Sequence, residues 1–358
     1  VAPINLADFE ALARAALPSG VWDYIAGGAE DERTVAWNTE AFQRIRLRPR
    51  VLVDVRERDL TTSVLGQQIT LPVLIGPTSH HRMVHPDAEL AVARAAAAAG
   101  TIAVFGTGAH HSIEEAAEAG GGPLWFQLYC YDSRAVTERL IRRAEAAGCR
   151  AIVATVDGGH YQARRERNIR NGWALPPEVE LRNLLGIGLD DELLRTGGSV
   201  AFLASVAAMP PTWDDIAWMR SVTRLPLLLK GIMTAEDARL AVDHGADGVV
   251  VSNHGGRQVD GTLASIEALP DVVDAVAGRA AVLLDSGVRR GTDVLKALAL
   301  GAQAVLIGRP CLWGLAAGGE PGVRRVLELL REEIDTALVQ LGRPSVASVD
   351  RTLVALPV

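Results

Sequence analysis

The sequence predicts an α/β fold of the (β/α)8 TIM-barrel type, with an N-terminal helical and hairpin extension and a long loop after the fourth strand. Three observations carry this. Eight short apolar runs recur along the 358 residues. Alanine-rich helical stretches separate several of them, each ending at a glycine. The runs are continuously apolar rather than alternating, as in parallel strands covered on both faces. A doubly wound open sheet is the competing arrangement, but no G-x-G-x-x-G follows the first run.

Residues 1–70 precede the barrel and read as two helices and a hairpin over Leu60–Leu71, with Gly66 at its turn. The predicted strands are Val73–Ile75, Ile102–Phe105, Leu124–Leu128, Ala151–Val156, Leu227–Leu229, Val249–Val251, Val282–Leu284 and Val305–Ile307. Four helix-to-strand units stand out: Glu89–Gly100, Ala135–Gly148, Ala235–Gly245 and Asp293–Gly301, each followed within a few residues by a strand. Their closing glycines read as helix C-caps that need a positive φ. Val136, Leu140, Ile141 and Ala144 show the helical three-to-four spacing. The stretch of about 172–212 breaks the rhythm with paired prolines, a Gly-Gly and the amphipathic piece Leu184–Leu194, and is expected to be a lid-like insertion. The domain reading is one unit, 1–358: extension 1–70, barrel 71–315 and a C-terminal helical segment 316–358.

Composition narrows the function. The chain is 49% hydrophobic and 22% charged, with net charge −7, so neither nucleic acid nor an anionic membrane is expected as a partner. The three cysteines, Cys130, Cys149 and Cys311, are far apart and form no CxxC. This suggests neither zinc nor disulfides. With no leader segment and no apolar run near 18 residues, a cytoplasmic location is the expectation.

In such barrels the chemistry sits just past the strands, and polar residues collect there. The first strand is followed by Pro77-Thr78-Ser79-His80-His81 and the second by Gly106-Thr107-Gly108-Ala109-His110-His111. The third contributes Gln127 and Tyr129, and the fourth Thr155 and Asp157 with Arg164 and Arg165 beyond. Lys230 follows the fifth, Ser252 to Asp260 the sixth, Asp285, Gly287 and Arg289 the seventh, and Gly308-Arg309-Pro310 the eighth. Taken singly, Gln127 and Thr155 could be strand-end hydrogen bonders and Asp157 a turn residue. Lys230 is harder to dismiss, because a lysine at the mouth needs an anion. Two glycines with two arginines after the last two strands suit a phosphate monoester. His254 and Arg257 place an acid–base group and a carboxylate-binding group three residues apart.

The chain resembles the FMN-dependent α-hydroxy acid oxidases and dehydrogenases, such as glycolate oxidase, lactate oxidase and mandelate dehydrogenase. The resemblance covers nearly the whole chain and rests on Tyr24 to Glu30, Gln127-Leu128-Tyr129, Thr155-Val156-Asp157, Leu229-Lys230-Gly231-Ile232, Ser252 to Asp260, Asp285-Ser286-Gly287 and Gly308-Arg309-Pro310. It implies FMN as cofactor, a small-molecule 2-hydroxy acid as substrate, oxygen or another electron acceptor, and a homo-oligomer, tetrameric in the family. It implies His254 as the base and Asp157 as its partner. Arg257 and Arg165 would hold the substrate carboxylate, with Arg164 as the alternative to Arg165. Tyr24 and Tyr129 would bond the carboxylate and the 2-hydroxyl, and Lys230 would face the flavin where charge develops. Pro77, Thr78, Ser79, Gly106, Gln127, Thr155 and Ser252 would hold the ring, Asp285 the ribityl chain, and Gly287, Arg289, Gly308 and Arg309 the phosphate.

The chain also departs from the family. Ser79 stands where Ala or Gly is usual, Gly106 where a serine is common, and Gly108 where glycolate oxidase carries a bulky aromatic. Gly158-Gly159-His160-Tyr161-Gln162-Ala163 is one residue longer than the usual stretch after Asp157. Loss of bulk at Gly108 implies a substrate larger than lactate, aromatic and mandelate-like. The doublets His80-His81 and His110-His111 read as loop histidines on the pocket wall, with His81 also a candidate for substrate recognition or a proton relay. Two other readings stay open: a family member with another outcome, such as oxidative decarboxylation or oxidation of a specialised intermediate, and a metal-dependent lyase built on the doublets.

Overall fold

The structure is a computed structural model that describes residues 2–131, 133–158, 164–188 and 210–356. Three helices open the chain: α1 (Leu6–Ala16), α2 (Ser19–Ala26) and α3 (Arg33–Arg44). The sequence led us to expect two. The extra break falls at Leu17, extended at ψ 144 before Pro18, because a proline disfavours helical backbone in the residue ahead of it. Strand β1 (Arg46–Leu47) follows, then the hairpin β2 (Thr62–Val64) and β3 (Gln67–Ile69). Its turn, Leu65-Gly66, has positive φ at both residues (50° and 75°), the conformation that matches strand twist.

Eight parallel strands close the barrel: β4 (Val73–Ile75), β5 (Ala103–Gly106), β6 (Leu124–Leu128), β7 (Ile152–Thr155), β8 (Leu227–Ile232), β9 (Gly248–Val251), β10 (Ala281–Leu284) and β11 (Ala304–Ile307). Outside them lie α4 (Ala88–Ala98), α5 (Ile113–Gly120), α6 (Arg134–Ala146), α7 (Glu166–Arg170), α8 (Trp213–Val222), α9 (Ala235–Asp243), α10 (Ser265–Val276), α11 (Gly291–Ala299) and α12 (Arg309–Gln340). The four predicted C-cap glycines, Gly100, Gly148, Gly245 and Gly301, all have positive φ.

The continuous apolar runs follow from two cores. Leu74, Val104, Trp125, Val153, Leu228, Val250, Leu283 and Leu306, one from each strand, fill the barrel interior together with Val64 and Ile69 of the hairpin. The hairpin thus plugs the N-terminal end, and Trp125 Nε1 donates to Gln67 Oε1 at 3.0 Å. The alternate strand residues, such as Val73, Ile75 and Phe105, pack against the helices.

The expectation for the C-terminal segment needs correction. The C-terminal segment is not purely helical and does not begin at 316. Helix α12 starts at Arg309 and is broken at Gly318 and Gly319 (φ 59°, ψ −141°), beside Pro321. Two short 3-10 turns then lead into β12 (Val354–Ala355), which pairs antiparallel with β1. The predicted insertion is described only in part, because residues 189–209 and the end of the predicted piece Leu184–Leu194 lie outside the described residues. Its described portion is docked by Leu181, Leu184 and Ile187, all buried. Asn183 Oδ1 also accepts from the Ile113 N–H at 2.9 Å.

Candidate active site

Strand periodicity builds the site. Two residues beyond each inward apolar side chain stand Gly76, Gly106, Gln127, Thr155, Lys230, Ser252, Asp285 and Gly308. Because successive side chains alternate faces, this next layer also points inward, and it is polar or empty. Gly106 lies in register with Gln127, and Thr155 with Lys230. Gln127 Nε2 donates to Thr155 Oγ1 at 3.0 Å, and Lys230 Nζ donates to Ser252 Oγ at 3.0 Å. Two residues further on come Tyr129, Asp157 and His254.

Lys230 lies inside β8 rather than after it and is 4% exposed. Its ammonium is 3.1 Å from Asp285 Oδ2. Burial works against the charge, but Asp285 and Asp157 outweigh it and hold the pKa above the ordinary lysine value. The ladder shifts register at Gly231 (φ 116°). A Cβ there would stand 2.6 Å from Asp157 Cβ and Cγ, so glycine is required for Asp157 to occupy its place.

His254 has left-handed backbone (φ 58°), as do the two glycines after it. Its Nδ1 is 2.9 Å from Asp157 Oδ1, and the residue lines a cleft at the barrel mouth. Nε2 is therefore the nitrogen available to a ligand. Burial lowers the imidazole pKa below its usual value, further than Asp157 raises it. The ring is neutral near pH 7 and able to accept a proton. Burial pushes the Asp157 carboxyl up, but His254 and Lys230 bring it below the usual range. Its Oδ2 is buried without a hydrogen bond.

The cleft encloses about 1380 Å³ of space, open solvent at its mouth included. Arg165 lines it, whereas Arg164 is 67% exposed and lies 3.6 Å from Glu166. Arg257 Nη1 donates to the carbonyls of Tyr24 and Gly27, and its guanidinium sits 5.0 Å from the Tyr24 ring centre. Trp173 stacks on Tyr24, with ring centres 4.3 Å apart. Burial, then Arg165, lowers the Arg257 pKa to about 10. Arg309 falls to about 9 through burial and the neighbouring Arg257 and Arg289. Tyr129 is pushed up to about 12, chiefly by burial, and stays a hydroxyl donor.

Of the residues singled out from sequence, Tyr24, Pro77, Thr78, Ser79, Gly108, Gln127, Tyr129, Thr155, Arg165, Lys230, His254, Arg257, Asp285, Gly287, Arg289, Gly308 and Arg309 line this one cleft. Asp157 and Ser252 lie behind it, bonded to His254 and Lys230. Gly106 is beneath the surface, where an added Cβ would meet the Thr78 carbonyl at 3.3 Å. His81 is a correction: it does not line the cleft but is buried, with Nε2 2.6 Å from Thr78 Oγ1. Sequence reasoning passed over Trp173, Gln258 and Ser286. Gln258 and Ser286 stand inside motifs already quoted, but nothing local marks Trp173. Of the longer stretch after Asp157, 159–163 lies outside the described residues.

A closed parallel barrel whose mouth gathers Lys230, Arg165, Arg257, Arg289 and Arg309 beside a His–Asp pair defines a site for anionic ligands next to an acid–base group. Buried guanidinium groups depressed by one another's charge are sites for anions. The chain matches the FMN-dependent dehydrogenase family over residues 13–356. It is 48% identical to glycolate oxidase of Spinacia oleracea over 98% of this chain and 95% of that protein. It is 48% identical to L-lactate oxidase of a Nostoc species over 99% and 98%. Among solved structures it is similar to mandelate oxidase with (S)-4-hydroxymandelic acid, at TM-score 0.92 and 44% identity, covering 99% of this chain and 100% of that one. The protein belongs to the FMN-dependent dehydrogenase family and is an FMN-dependent 2-hydroxy acid oxidase or dehydrogenase. FMN is its cofactor, and the residues present fit it: the polar ring of Gln127, Thr155, Lys230 and Ser252 would suit the isoalloxazine, and the half-buried Arg289 and Arg309 the phosphate. Among the described residues, no group of three or more His, Cys, Asp and Glu side chains is placed to hold a metal ion, and no helix is long and apolar enough to cross a membrane.

Proposed function

We propose that this enzyme oxidises an aromatic, mandelate-like 2-hydroxy acid to the 2-oxo acid. The observation that carries the choice of substrate is Gly108, which lines the same cleft as His254 without a side chain, next to Ser79 and His80. Ser79 and His80 pack against this glycine, so the room for an aryl group is the cleft in front of it, into which position 108 sends no side chain. The solved mandelate oxidase structures at 44% identity support the reading.

In this reading Arg165 and Arg257 bind the substrate carboxylate, the planar anion that suits a guanidinium fork. Tyr24 and Tyr129 donate to the carboxylate and the 2-hydroxyl. The orientation presents a substrate proton to His254 Nε2, which accepts it. Asp157 stabilises the resulting imidazolium and keeps the ring turned toward the substrate. FMN, when bound, supplies the two-electron acceptor. Lys230 would keep a positive charge against the ring, Asp285 would meet the ribityl chain, and Gly287, Arg289, Gly308 and Arg309 would hold the phosphate. Trp173, stacked on Tyr24, holds that ring in place beside Arg257.

The test is anaerobic mixing of the FMN-loaded enzyme with a panel of 2-hydroxy acids, following loss of the flavin's visible absorbance. Mandelate-type acids should reduce it with a higher reduction rate over Kd than glycolate or lactate. A clear preference for glycolate or lactate would overturn the substrate assignment. Product analysis under oxygen then distinguishes the 2-oxo acid from a decarboxylated acid.

A further inference from the structure

The histidine doublets take no part in the reaction just described, yet they converge on one carboxylate. Glu89, near the start of α4, is 2% exposed. Its Oε1 accepts from the backbone N–H groups of His81 (3.3 Å) and His110 (3.2 Å). Its Oε2 accepts from the His111 N–H (3.4 Å) and lies 3.2 Å from His111 Nδ1. One buried carboxylate therefore ties the loop after β4 to the loop after β5. This places the His81 ring, whose Nε2 is 2.6 Å from Thr78 Oγ1, while Nδ1 is buried with no hydrogen bond.

A neutral imidazole carries one N–H. On Nδ1 that N–H would be a buried donor without an acceptor, the arrangement proteins tolerate least. On Nε2 it donates to Thr78 Oγ1, and only a lone pair goes unmatched. Burial keeps the ring neutral by lowering its pKa, so the Nε2–H form is the one present. Thr78 Oγ1 is then an acceptor on its buried side. Its own proton is directed elsewhere, and Thr78 lines the cleft beside Pro77 and Ser79.

We propose that His81 is a positioning residue for the cofactor: held by Glu89, it orients the Thr78 hydroxyl so that its proton is donated into the FMN site. This assigns His81 a role that is neither metal binding nor substrate recognition.

The test is a double-mutant cycle read by the FMN dissociation constant of the apoprotein, from quenching of flavin fluorescence. Thr78→Val removes the hydroxyl with little change of shape, and His81→Phe keeps a ring without an N–H. Each should weaken FMN binding about tenfold, the effect of one hydrogen bond. The double variant should be no weaker than Thr78→Val alone. Thr78→Ser and His81→Gln, which restore a hydroxyl and an amide N–H, should recover most of the affinity. Losses that multiply in the double variant would overturn the proposal. So would wild-type FMN affinity in Thr78→Val, a result that stands by itself even where a His81 variant fails to fold.

Discussion

Asp157→Asn tests the partnership at the centre of the site. Asp157 Oδ1 is 2.9 Å from His254 Nδ1, and both side chains are mostly buried (14% and 22% exposed). With charge centres about 4 Å apart and an effective dielectric constant of about 20, the carboxylate stabilises a full imidazolium by about 4 kcal/mol. A proton half transferred in the transition state would lose about 2 kcal/mol of this, a fall of about thirtyfold in the rate of flavin reduction. That is a lower bound. The asparagine amide can also donate to Nδ1, which places the ring proton on Nε2 and blocks acceptance there. The sign of the pH effect follows from the same pair. Asp157 raises the pKa of His254 and burial lowers it further, so the neutral base persists below the ordinary histidine value. Without the carboxylate, the acid limb of reduction rate over Kd moves to still lower pH while the plateau drops. Anaerobic stopped-flow across pH measures both. An unchanged plateau, or an acid limb shifted upward, would refute the reasoning.

Gly108→Trp should fill part of the cleft that His254 also lines. An added Cβ alone stands 3.0 Å from Ser79 Oγ and 3.6 Å from His80 Cε1, so the larger side chain must project into the cleft. KM for mandelate-type acids should rise about tenfold or more with a smaller effect on glycolate, and equal effects on both would count against the aryl pocket. Acid stability should depend on His80. Its ring is fully buried and its pKa is lowered to about 3, chiefly by burial. The unfolded chain therefore binds a proton more readily, and stability present above pH 6.5 is lost as pH falls toward 3. Between pH 6.5 and 5 the loss is about 2 kcal/mol. Urea unfolding of the apoprotein should show this slope, His80→Leu should reduce it while His81 and His254, also lowered by burial, keep part of it, and an identical slope in the variant would disprove the attribution.

Much of the fold was written in local pattern. Eight apolar runs specify a barrel because parallel strands are buried on both faces, and positive-φ glycines close the helices between them. The polar ring was legible too: a strand turns alternate residues inward, so Gln127, Thr155, Lys230, Ser252 and Asp285 follow from the inward apolar residues by counting two. That same counting names Tyr129, Asp157 and His254 as the next layer. Tertiary structure alone decided what depends on distance between segments far apart in the chain. Arg165 turns into the cleft and Arg164 away from it, although the two are adjacent and chemically identical. Trp173 reads as an ordinary loop aromatic until it stacks on Tyr24, some 150 residues earlier. Glu89 reads as a polar position in a helix, yet it meets His81, His110 and His111 because α4 packs under both loops. Periodicity reports which face a residue takes. Which partner waits on that face is set by how the eight units close on one another, and no local pattern carries that information.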